Sequence, residues 1–102
     1  MREAARYVSV GQVIRSYLVE CYWPGVTTAA YAETVDRVAA TALPADGGVR
    51  FLGSLLVPVD EVVFYRFSGQ SRTDVERACT AAELPFQRVL EYVTTAPTPH
   101  PA

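Results

Sequence analysis

Residues 49–67, VRFLGSLLVPVDEVVFYRF, read as two strands joined by a tight turn. The first, VRFLGSLLV (49–57), and the second, EVVFYRF (61–67), are rich in β-branched and aromatic residues. Only Pro58 to Asp60 separates them, so an antiparallel hairpin is the natural connection.

Upstream of the hairpin, Asp46-Gly47-Gly48 makes a turn and Pro44 ends a helical pattern. That pattern begins near Ala29. Ala30, Tyr31, Val35, Val38, Ala39 and Ala42 follow a 3.6-residue period, with Glu33, Asp36 and Arg37 on the other face. Thr27 or Thr28 supplies its N-cap oxygen. Pro24-Gly25 breaks the chain before it, and VIRSYLVECY (13–22) reads as the first strand. Downstream, Ser71 or Thr73 caps a second helix running to about Ala82, with Val75, Ala78, Cys79 and Ala82 on one side. FQRVLEYV (86–93) is the last strand. Residues 1–12 have weak periodicity and read as an N-terminal arm; the Pro-rich residues 95–102 read as a disordered tail. The folded domain is residues 13–94.

The resulting β-α-β-β-α-β order predicts an α+β, ferredoxin-like fold, with a four-stranded antiparallel sheet carrying two helices on one face. Strand residues alternate sides. Leu18, Glu20 and Tyr22 share one face of the first strand, and Tyr17, Val19 and Cys21 share the other. Val62, Phe64 and Arg66 alternate with Val63, Tyr65 and Phe67; Val89, Glu91 and Val93 alternate with Leu90 and Tyr92. Both sheet faces are therefore largely apolar. An uncovered apolar face of that size predicts a second copy packed sheet to sheet, a homodimeric α+β barrel.

Glu20, Arg66 and Glu91 are the charged residues within predicted strand centres, and a charge beneath a helix layer is costly unless paired. All three are expected on the open face, either neutralising one another at a dimer rim or anchoring a ligand. Glu20, Tyr22, Arg66 and Glu91 are the candidate ligand-binding set. Trp23 either edges a cleft or packs under its loop.

The 102 residues allow one domain, and half of them are hydrophobic, enough for a core. The net charge is −2, and the nine basic residues, all Arg, are spread along the chain, which argues against a nucleic-acid partner. Residues 1–12 lack the apolar stretch of a signal peptide, and no apolar run nears the ~20 residues of a membrane span. The expectation is a cytoplasmic protein with no membrane partner. Cys21 and Cys79 have no metal-site spacing and pair only if the fold brings them together. The sole His, His100, lies in the tail, so no His–nucleophile pair is available and no catalytic residue or metal ligand is assigned. Neither GxGxxG nor GxxxxGK[ST] occurs.

YLVECYWPG (17–25), VRFLGSLLVPVDEVVFYRF (49–67) and AELPFQRVLEYV (82–93) resemble, in order and spacing, the DUF4242 or nickel-binding-protein-like family of small ferredoxin-like domains. Glu20, Pro24, Gly25, Ser54, Asp60, Glu61, Leu84, Pro85, Phe86, Arg88 and Glu91 match its pattern. The resemblance implies a dimer and a small-molecule or metal ligand, nickel being the metal it suggests. The chain departs from the pattern in having Val63 and Tyr65 where relatives often carry Cys, and no His between residues 15 and 93. Three functions are in play: a ligand- or metal-responsive binding protein, a cofactor-poor monooxygenase or isomerase of the dimeric barrel type with Glu20, Tyr22, Tyr65, Arg66 and Glu91 around its cleft, and a structural interaction domain.

Overall fold

The computed structural model describes residues 15–41 and 48–94. The N-terminal arm, positions 13–14 of the first strand, Ala42 and the Pro-rich tail lie outside the described residues. Strand β1 (Arg15–Tyr22) leads through a turn to helix α1 (Thr28–Thr41). The β2 (Arg50–Val57) and β3 (Val62–Gly69) hairpin follows, closed by a 3-10 turn at Pro58–Asp60. Helix α2 (Arg72–Ala81) and strand β4 (Arg88–Tyr92) complete the order. The four strands form one antiparallel sheet in the order β2-β3-β1-β4. This is the α+β ferredoxin-like arrangement that the strand and helix periods predict.

Local chemistry starts the helices where the sequence places them. The Thr27 hydroxyl oxygen accepts from Ala30 N–H at 3.1 Å, and that of Ser71 accepts from Asp74 N–H at 3.1 Å, each relieving an orphan donor of a first turn. Proline fixes the start of the 3-10 turn and Glu61 ends it with φ 55° in the left-handed region. In β2 the register shifts between Phe51 and Gly53, leaving Leu52 as the extra residue of a bulge. Gly53 takes φ 136° there, which a side chain rarely adopts.

Strand alternation then sorts the sheet. Val19, Val63, Tyr65 and Phe67 point under the helices and meet Val38 of α1 and Val75 and Cys79 of α2 in one core. Ala39, placed on the core side of α1 by its period, is exposed instead; Val38 alone of that helix is fully buried.

One strand is inverted relative to expectation. Glu91 is the register partner of Tyr17, and Val89 that of Val19, so both lie on the helix-covered face rather than the open one. Both parity sets of β4 carry apolar residues. The choice was made by Val89, which is 4% exposed beneath the helices. Glu91 escapes the penalty for a covered charge because β4 is an edge strand and the residue sits near its end. It stays half exposed and faces Arg15 at 3.9 Å.

Candidate functional site

The open face carries Glu20, Tyr22 and Arg66 as expected, but it does not assemble them into an acid-base-acid set. Glu20 is bound by Arg88, its cross-strand partner on β4. Arg66 lies opposite Leu18 and across from Gly53. Its Nε donates to the Tyr92 hydroxyl at 3.0 Å, and its guanidinium carbon stands 6.0 Å from the Tyr92 ring centre. A Cβ at position 53 would stand 3.6 Å from Arg66 Nη1, an ordinary contact, so the backbone φ and not space calls for glycine there. Tyr22 stands at the margin, 51% exposed. Glu91 is on the other face. Around these polar groups run Leu18, Phe64, Leu55 and Leu90, with Leu55 and Leu90 exposed.

A cleft lies elsewhere, between α1, the end of β1 and the connection from α2 to β4. It has a volume of about 320 Å³ and is lined by Cys21, Tyr22, Trp23, Thr34, Arg37, Tyr65, Leu84 and Pro85. Each wall has an identifiable cause. The Trp23–Gly25 turn is held by Glu61, whose carbonyl accepts from Trp23 N–H at 2.7 Å and whose carboxylate accepts from Gly25 N–H at 2.9 Å. Thr34 and Arg37 are one helical turn apart and share a side of α1. Arg37 Nε donates to the Ala82 carbonyl at 3.1 Å, tying α1 to the end of α2. Leu84 is drawn in by its N–H bond to the Cys79 carbonyl at 3.0 Å, and Pro85 follows it at the rim.

The floor is Tyr65 and Cys21. Tyr65 is 1% exposed, and its hydroxyl has no hydrogen-bond partner among the described residues, whereas those of Tyr31 and Tyr92 meet Ser54 and Arg66. Burial chiefly, with the nearby Cys21 thiol, drives the Tyr65 pKa well above its ordinary value, and Arg37 pulls it partly back. Burial, then the Glu20 charge, pushes the Cys21 thiol up to about 12; burial, then Cys21 and Glu76, does the same to Cys79. Both cysteines are free. At neutral pH they are thiols rather than nucleophilic thiolates. Among the described residues no three His, Cys, Asp or Glu side chains converge to hold a metal ion. Nickel favours imidazole and thiolate donors, so this donor set does not fit the metal the resemblance suggests.

The sequence left Trp23 either at a cleft edge or packed under its loop, and set Glu20, Tyr22, Tyr65, Arg66 and Glu91 around a cleft; Trp23, Tyr22 and Tyr65 line this one, Glu20, Arg66 and Glu91 do not, and Arg37 and Thr34 were missed. Arg37 was assigned to the solvent side of α1. It is exposed, as that assignment implies, and its long side chain reaches back to the Ala82 carbonyl at the cleft edge.

No protein-family model matches the chain, and no curated protein matches it. Among solved structures, SCO4226 from Streptomyces coelicolor A3(2) is similar in fold, with a TM-score of 0.68 and 17% sequence identity over 79% of this chain and 99% of that one. At that identity the likeness shows the fold alone. No described helix is long and apolar enough to cross a membrane.

Proposed function

We propose that this chain is a small-ligand-binding protein of the DUF4242 type that acts as a homodimer in a reducing compartment such as the cytoplasm. The observation that carries the binding reading is the cleft, which joins apolar walls to a buried Tyr65 hydroxyl that has no hydrogen-bond partner among the described residues. Ligand sites are concave, mostly apolar and furnished with a few polar groups, and about 300 Å³ is their lower size limit. The two free, buried cysteines suit a compartment that keeps thiols reduced. The carboxylate chemistry considered for an enzyme lacks geometry: Glu20 is neutralised by Arg88, and Glu91 is across the sheet.

The test is a thermal-shift screen of small aromatic and aliphatic compounds against the full chain and against Thr34→Trp, which fills the cleft. A ligand at 100 times its Kd adds about 2.7 kcal/mol, and each kcal/mol moves the Tm of a domain this size by about 4–8 °C. Hits are expected with the unsubstituted chain and not with Thr34→Trp. A screen without hits, or hits unaffected by Thr34→Trp, removes the reading.

A further inference from the structure

We infer that the cleft selects a small planar carboxylate: Arg37 takes the carboxylate, Trp23, Leu84 and Pro85 flank the flat body, and the Tyr65 hydroxyl meets a polar group on its inner end. This rests on the binding reading above and names the chemistry of its ligand.

Charge is the first ground. Of the eight lining residues, Arg37 alone carries a formal charge at neutral pH. The floor contributes none, since Cys21 and Tyr65 both hold their protons far above pH 7. The cleft is thus a neutral pocket with one positive group at its edge, and a low-dielectric wall strengthens the attraction of that group for an anion. Arg15, Arg72, Arg77 and Arg88 each face a carboxylate of this chain. Arg37 has no such partner among the described residues.

Orientation is the second ground. A guanidinium has five N–H donors in a rigid plane. Arg37 spends its Nε–H on the Ala82 carbonyl, which fixes the plane and leaves the edge made by the two terminal nitrogens. That edge is a fork for two parallel bonds to a carboxylate. Arg37 and Tyr65 both line the cleft, so one small ligand can reach the two groups.

Shape is the third. About 320 Å³ admits only a small molecule, and an indole, a leucine and a proline supply apolar surface. A planar ring fits such walls with little loss of its own freedom. A hydrogen-bond acceptor opposite the carboxylate would satisfy the Tyr65 hydroxyl, which is buried and has no partner among the described residues.

The chain carries its own reporter, because Trp23 is its single tryptophan and lines the cleft. Its fluorescence is followed while the full chain is titrated with 4-hydroxybenzoate and, separately, with 4-hydroxybenzamide, which has the same shape without the charge. The acid is expected to give a saturable change with a Kd at least 10-fold below that of the amide. Arg37→Gln is expected to erase that difference by weakening the acid far more than the amide, and Thr34→Trp, followed by thermal shift because it adds a second indole, to bind neither. The acid-to-amide ratio on the unsubstituted protein decides the matter even if Arg37→Gln does not fold. Equal binding of acid and amide overturns the carboxylate assignment and leaves the binding reading standing. So does silence towards both probes in a protein whose thermal-shift screen yields other cleft ligands. Silence towards both with an empty screen removes the binding reading as well.

Discussion

Cys21, Tyr65 and Cys79 place three weak acids in the layer between sheet and helices, and their burial has a consequence for pH. The folded-state pKa of each thiol is raised from 9.0 to about 12, and that of Tyr65 is raised as well. Between pH 9 and 12 the unfolded chain therefore loses protons that the folded chain keeps. Stability from these groups is fully present below pH 9 and is lost as pH rises through the folded values, at most about 1.4 kcal/mol per pH unit per group. Urea midpoints are expected to hold steady from pH 7 to 8.5 and fall steeply above pH 9.5. A disulfide-exchange thiol reagent at pH 8 is expected to find almost no reactive thiol in the native chain and two in the urea-unfolded one. Rapid native modification of either cysteine would show that the layer opens easily, contrary to their burial.

Elements differ in how much of their placement is local, and this governs what the sequence reveals. Helix α2 begins where Ser71 can cap it, and the capping bond forms with the third residue on. Ser71→Ala is expected to cost about 1 kcal/mol, read as a lower urea midpoint with unchanged slope, and Ser71→Asp to cost far less. Equal losses for both variants would show that the cap contributes little. The hairpin was legible for the same reason: Pro58 and two β-rich runs decide it within 19 residues. The facing of β4 was not. With Val89 and Val93 on one parity and Leu90 and Tyr92 on the other, the strand carries no preference of its own; pairing with β1 across about 70 positions of sequence decides it. The cleft was legible only in fragments. Trp23 stood out beside a sharp turn, but the position of Arg37 depends on the Ala82 carbonyl 45 residues away. Residues that act through non-local contacts leave no mark on a local pattern.

At the scale of the whole molecule, the open sheet face bears on assembly. Three strands of eight residues and one of five, at about 4.8 Å spacing and about 3.3 Å rise, give a footprint of roughly 450 Å². Side-chain relief raises the accessible area towards the ~800 Å² per partner of a standard interface. Leu55 and Leu90 are 45% and 37% exposed near opposite margins of that face, with Leu18 and Phe64 between them. The pairs that would be expensive to bury are already satisfied within one chain: Glu20 by Arg88, and Arg66 by the Tyr92 hydroxyl and ring. A face that is apolar around one internal ion pair and one hydrogen-bonded guanidinium suits a second copy better than water. Light scattering at tens of micromolar is expected to give twice the chain mass. Leu55→Glu with Leu90→Glu, which puts unpaired carboxylates into the contact without touching the helix-side core, is expected to give the single-chain mass with an unchanged far-ultraviolet circular dichroism spectrum. A monomeric unsubstituted chain would separate the cleft from any dimer, and the open face would then need another partner. A double variant that stays dimeric would move the interface off the sheet.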